Sequence, residues 1–188
     1  MPTTSDLKTG IIIKFNGELH EVLSVEHRTP GNLRAFYQVK MRNLKNGKII
    51  ENRFRSGDEI EIERLEYRDF QFLYKDNTEY YFMDNETYEQ IHLSDELIGD
   101  KGDFLKPGQN LQIVFHDDIP ISVDLPPHIE LEVISAPPGV KGNTATGATK
   151  QITLETGAVI NAPLFINEGD IIRVDVRTRE YVERVKTN

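Results

Sequence analysis

"IIIKFNGELHEVLSVEHRTPGNLRAFYQVKM", residues 11–41, decides the fold class. Short apolar or alternating runs flank Asn16-Gly17, and that pair favours a type I′ hairpin turn because both central positions need φ > 0. Pro30-Gly31 then bends the chain again, so residues 20–28 and 35–43 read as a second hairpin. Its loop, 29–34, projects Asn32 from the end, with Arg28 and Arg34 close behind. Outward from this stretch the same pattern repeats. "KIIENRF", "FQFLYK", "EYYFMD", "LQIVFH", "IPISVDL", "IELEVIS", "QITLET" and "DIIRVDV" recur between turn residues, at the roughly 8–12-residue spacing of small barrels or sandwiches. "KNGK" (45–48) predicts a second type I′ turn, and "KPGQ" (106–109) and "NEGD" (167–170) predict further turns. One short helix is expected around "SDELIGD" (94–100), with Ser94 as its N-cap.

A chain of 188 residues that is only 38% hydrophobic suits several small domains better than one large core. Charge changes abruptly near Arg64, and two prolines stiffen "DLPPHIE" (124–130). These boundaries predict three β domains of about 60 residues each. The absence of Cys removes disulfides and thiolate chemistry. No apolar run approaches the ~20 residues that span a bilayer, and "MPTTSDLKTG" lacks a signal-peptide pattern. A cytoplasmic protein without a membrane partner is the expectation.

The net charge of −9 hides an asymmetry. Residues 1–64 carry +2, residues 65–128 carry −10 and residues 129–188 carry −1. Within 28–55 stand eight basic side chains, Arg28, Arg34, Lys40, Arg42, Lys45, Lys48, Arg53 and Arg55, against the single acid Glu51. Local charge of this kind steers an anionic partner whatever the global sign. A solvated hairpin with scattered surface charge fits the same residues, so the residues alone leave both readings open.

Catalysis finds little support. His20, His27, His92, His116 and His128 are scattered, no HExxH occurs, and a zinc site would have only His and carboxylates to draw on. Asp117-Asp118 is an adjacent carboxylate pair, but consecutive strand residues face opposite ways unless a turn intervenes. "GNTATGATK" (142–150) ends in Lys without satisfying a phosphate-binding motif. It reads either as a plain loop or as one whose small side chains permit close approach to phosphates or bases. No cofactor and no metal are expected.

At this point the residues resemble a known family. "SDLKTGIIIKFNGELHEVLSVEHRTPG" and "AFYQVKMRNLKNGKIIENRFRSGD" are similar to the first domain of bacterial elongation factor P. "PPGVKGNTATGATKQITLETGAVINAPLFINEGDIIRVDVRTREYVERV" (137–185) resembles the family's most recognisable region. There the order Lys150, Leu154-Glu155-Thr156-Gly157, Pro163, Gly169-Asp170 and Tyr181-Val182-Glu183-Arg184-Val185 is far more specific than a short motif. The resemblance runs through essentially the whole chain.

The resemblance implies an all-β protein of three small β-barrel domains in an elongated, tRNA-like arrangement. An SH3-like (KOW-type) barrel at 1–64, with its tip loop at 28–35, would precede OB-like barrels at 65–126 and 127–188. It implies a non-enzymatic, monomeric translation factor that binds the ribosome between the P and E sites. Such a factor relieves polyproline stalls by positioning P-site peptidyl-tRNA. The tip near the tRNA acceptor end corresponds to Pro30, Gly31, Asn32, Leu33 and Arg34. The loop near the E-site mRNA codon corresponds to Gly142, Asn143 and Thr144, and Tyr181 and Arg184 correspond to the small-subunit side. From charge, Arg28, Arg42 and Arg55 join Arg34 as candidates for tRNA phosphates.

The chain departs from the family at the tip. Members commonly carry Lys there, extended by β-lysylation or another modification, and some carry a rhamnosylated Arg. Asn32 has no amine or guanidinium to accept either group. Unmodified function, modification nearby with Arg34 as acceptor, and a divergent role stay open. Asn143 likewise replaces an Asp common in the codon-side loop. A general single-stranded RNA-binding module of OB type is the competing reading. Its candidate aromatics, Tyr80, Tyr81 and Phe82, alternate between faces and read as core rather than platform.

Overall fold

The first sheet grows from the Asn16-Gly17 turn. In the computed structural model, which describes residues 1–139 and 147–186, Asn16 has φ 52° and Gly17 φ 80°. That is the predicted left-handed pair, and it joins β1 (Ile12–Phe15) to β2 (Glu18–Arg28) with Phe15 opposite Glu18. β3 (Phe36–Asn43), β4 (Ile49–Arg55) and β5 (Glu61–Glu63) complete the sheet in the order β4-β3-β2-β1-β5. Inward residues Ile13, Val22, Val39 and Met41 form its core with Leu7 and Ile60.

The second Asn-Gly pair behaves differently from expectation. Gly47 has φ 71°, but Asn46 is not in the left-handed region. Buried Asn43 organises a wider loop instead. Its Oδ1 accepts from the Lys45 and Asn46 amides at 2.8 and 3.2 Å, and its Nδ2 donates to Glu18 Oε2 at 2.6 Å. An Asx turn has displaced the two-residue hairpin.

The second sheet holds β6 (Glu66–Asp76), β7 (Glu79–Asp84), β8 (Gln90–Ser94), β9 (Asn110–His116) and β10 (Ile119–Asp124) in the order β10-β9-β6-β7-β8. Between β8 and β9 lie α1 (Asp95–Ile98) and a 3-10 turn, Gly99–Phe104. Ser94 caps α1 as predicted, its hydroxyl accepting from the Leu97 amide at 3.4 Å. The third sheet comprises β11 (His128–Ser135), β12 (Thr149–Leu154), β13 (Val159–Pro163), β14 (Ile171–Asp175) and β15 (Glu180–Lys186). Its order is β13-β12-β11-β14-β15. Counted within each sheet, the second and third therefore share one strand order, and the first has another. One kind of barrel precedes two of a second kind, as expected.

The chain divides into two compact units. Met1–Glu66 with the β9–β10 turn, His116–Ile119, makes the first. The second contains the other two sheets, and Phe104 joins them. This side chain follows the second sheet's helix, yet at 1% exposure it lies in the third sheet's core with residues such as Leu131, Ile152 and Ile172. The Arg179 guanidinium sits 5.0 Å above its ring and bonds Asp103 at 2.8 Å. Lys106 reaches the Glu130 carbonyl at 3.1 Å. No helix among the described residues is long and apolar enough to cross a membrane.

Candidate nucleic-acid interface

β2 and β3 stay paired to their ends, the last partners being His27 with Tyr37 and Arg28 with Phe36. The His27 and Tyr37 rings stack at 4.6 Å, stiffening the arm just before the loop. Beyond it the Leu33 amide donates to the Pro30 carbonyl at 3.0 Å, closing a turn around Gly31 and Asn32. Asn32, Leu33 and Arg34 are exposed, Leu33 by 74%. Leu33 therefore adds nothing to the core, as is common for single apolar side chains at surface turns. The five tip residues expected from the sequence thus sit together at the end of one stiff hairpin.

Strand pairing assembles the charged face. Arg28, Phe36 and Arg55 lie in one row across β2, β3 and β4, and Glu26, Gln38 and Arg53 lie in the next. Ser24, Lys40 and Glu51 form a third row, and Arg42 stands opposite Glu21. Alternation puts these residues on the side away from Val39 and Met41. The face therefore carries Arg28, Lys40, Arg42, Arg53 and Arg55 against Glu21, Glu26 and Glu51. It is less basic than the linear window 28–55, because Glu21 and Glu26 enter from outside that window.

The cations on it are not equivalent. Arg28 donates from Nε and Nη2 to Glu26 Oε2 at 3.1 and 2.6 Å, and Arg42 bonds Glu21 at 3.0 Å. Arg53 lies 4.1 Å over the Phe36 ring. Among the described residues, Arg34, Lys40 and Arg55 have no side-chain ion pair. A shallow depression lined by Ser24, Glu26, Arg28, Gln38, Lys40 and Glu51 follows the same face. Fixed cations beside an exposed loop tip can hold an extended polyanion, and charge-assisted contacts to phosphate oxygens are the strong ones.

The other predicted residues lie elsewhere or outside the description. Gly142, Asn143 and Thr144 lie outside the described residues. Tyr181 packs against the third sheet's core. Arg184 stands 3.6 Å from the buried Asp170 carboxylate and 5.2 Å from the Phe165 ring. Both of those side chains have structural partners that the sequence did not show.

The histidines are each accounted for locally. His20 is buried edge-on to Phe15 and bonded at 3.0 Å to the Glu18 carbonyl. His92 and His128 lie 3.4 and 3.7 Å from Glu79 and Asp175. His116 Nε2 bonds Glu63 Oε2 at 2.9 Å, with Asp117 Oδ2 at 3.7 Å. Asp117 and Asp118 both occupy the left-handed region, φ 49° and 61°, as the centre of the β9–β10 hairpin turn. They serve the bend.

The His116 hydrogen bond, aided by the charges of His116 and Lys14 and opposed by burial, holds the Glu63 carboxyl below its ordinary value. A depressed folded value contributes stability above the unfolded carboxylate value near ~4.3, and that stability disappears as pH falls through the folded value. E63Q is therefore expected to lower the urea midpoint near neutral pH, with the difference from the parent closing below about pH 4. Urea titrations across that range check it, and a difference undiminished at about pH 3 would contradict the assignment.

Comparison with known proteins extends over all three sheets. The family model described as Elongation factor P (EF-P) KOW-like domain matches residues 3–60. Elongation factor P (EF-P) OB domain matches 65–123, and Elongation factor P, C-terminal, matches 129–184. The chain is 50% identical to the elongation factor P of Chloroherpeton thalassium over 187 residues, 99% of this chain and 100% of that one. It is 52% identical to that of Roseiflexus sp. (strain RS-1) with the same coverage. Among solved structures, eukaryotic translation initiation factor 5A from Methanococcus jannaschii is similar in fold, with TM-score 0.53 and 21% identity. That match covers 65% of this chain and 92% of that one.

Proposed function

The chain belongs to the elongation factor P family, and on that premise we propose how this translation elongation factor works. It binds the ribosome between the P and E sites as a monomer in the cytoplasm. There it promotes peptide-bond formation at polyproline stalls by positioning peptidyl-tRNA. The observation that carries the reading is the stiff β2–β3 hairpin, with an exposed tip and unpaired cations behind it.

Pro30 to Arg34 approach the acceptor end of the P-site tRNA. Arg28, Arg34, Arg42 and Arg55 meet its phosphates, with Lys40 on the same face. Gly142, Asn143 and Thr144 approach the E-site codon, and Tyr181 and Arg184 face the small subunit. The working domains are 1–64, 65–126 and 127–188.

The factor contributes no covalent chemistry. Proline reacts poorly because its ring fixes φ and its nitrogen is secondary. A hundredfold acceleration requires only about 2.7 kcal/mol. Orientation alone supplies up to about 7–11 kcal/mol in well-aligned systems, so restraint of peptidyl-tRNA suffices. Asn32 acts without an added group: its carboxamide both donates and accepts hydrogen bonds at the tip. Two measurements on the native chain test this. Intact mass is expected to equal that of the bare sequence, and ribosome association is expected to weaken steeply with salt. A tip-loop adduct would overturn the role given to Asn32, and salt-insensitive binding would overturn the phosphate contacts.

A further inference from the structure

We propose that the outer face of the second sheet docks an arginine-rich basic segment of a partner protein. Tyr74, Tyr81 and His92 stand side by side on β6, β7 and β8, paired in register as Tyr74–Tyr81 and Tyr81–His92. The tyrosine rings stack at 4.7 Å and 16°, and His92 follows at 5.9 Å. The opposite face holds the core residues Phe72, Tyr80, Phe82 and Leu93. Tyr74 is nevertheless 49% exposed and the His92 side chain 65% exposed. The stack steadies the sheet, and the exposed ring faces of Tyr74 and His92 outside a filled core leave apolar surface for a partner.

Charge selects the occupant. Asp76 pairs in register with Glu79 beside the rings, and Glu79 Oε2 lies 3.4 Å from His92 Nε2. Residues 65–128 as a whole carry four basic side chains against fourteen acidic ones. Aromatic rows in OB-type domains commonly stack nucleic-acid bases, but those platforms sit in positively charged grooves. Here the carboxylates repel a phosphate backbone and attract cations. Arginine fits best, because its flat guanidinium stacks on aromatic rings and forks to carboxylates. This surface belongs to a different sheet from the hairpin and serves a different partner.

The test uses the full chain with nona-arginine, nona-lysine and dodecauridine as probes, followed by calorimetry and amide chemical shifts. Nona-arginine is expected to shift the amides of Tyr74, Tyr81 and His92 and to bind more tightly than nona-lysine. Y74S/Y81S is expected to weaken it by about five- to thirtyfold at unchanged net charge. D76N/E79Q, which keeps both rings, is expected to weaken it severalfold and guards against a folding defect in the first variant. Equal binding of the two peptides, or indifference to Y74S/Y81S, would reduce the effect to bulk charge and overturn the proposal. Preferential shifts of the same amides by dodecauridine would overturn it in favour of RNA. Self-association abolished by Y74S/Y81S would overturn it in favour of a second copy of the chain.

Discussion

Reversing Arg28 and Arg34 to Glu is expected to weaken association with ribosomes carrying peptidyl-tRNA by at least about tenfold, and to lower the salt slope by about two. Both side chains flank the tip loop and both are exposed. The folded state has little to lose. Arg34 has no ion pair among the described residues, and Arg28 has an exposed pair with Glu26, a type that contributes little stability. The melting temperature should therefore move by no more than about 2 °C. Arg42, held by Glu21 and farther down the ribbon, should matter less: R42E is expected to weaken binding by less than the double reversal. Ribosome pelleting at several salt concentrations measures both losses and the slope, and calorimetry measures the melting temperature. Because R42E reverses one charge and the double variant two, a loss per reversed charge as large in R42E as in the double variant would mean that general charge, not the tip, governs association.

Phe104→Ala should be the most destabilising of the substitutions considered. Burying this ring in the third sheet's core ties that core to the helical segment of the second sheet. Truncating a buried Phe to Ala removes about 3–5 kcal/mol, part transfer and part cavity. At about 4 °C per kcal/mol, the value between those for smaller and larger units, the midpoint should fall by roughly 10–20 °C. The variant should also lose cooperativity, because Arg179 loses the ring beneath it and fewer contacts join the two sheets. Calorimetry is expected to resolve one transition more in the variant than in the parent. An unfolding profile with the parental number of transitions and the parental midpoint would contradict the coupling.

The fold was largely legible because period-two alternation and turn chemistry are local. Asn16-Gly17 and the Ser94 cap follow from residues within one turn of each other. Asn46-Gly47 failed because Asn43, three residues upstream of Asn46, captured the loop amides. Phe104 illustrates a deeper limit. It lies in a turn-rich stretch, and its burial depends on residues of another sheet that no local periodicity connects to it.

The charged face was legible only in part. Glu26 lies two residues from Arg28 on the same strand, so alternation alone could have paired them. The pairing of Arg42 with Glu21 needed the register of β2 on β3. Tyr74 is the subtlest case. It shares parity with buried Phe70 and Phe72, and only the irregularity between Phe72 and Tyr74 turns it outward to meet Tyr81. Tyr81 is half-buried in the outer row, on the face that alternation with buried Tyr80 and Phe82 gives it, and not in the core where all three were expected.

On the function proposed above, the bare chain is expected to accelerate proline–proline bond formation. The most direct measurement is the rate of that step on purified ribosomes carrying peptidyl-prolyl-tRNA, with and without unmodified recombinant protein. A clear acceleration is expected. No acceleration by a chain whose native intact mass equals that of the bare sequence would contradict it.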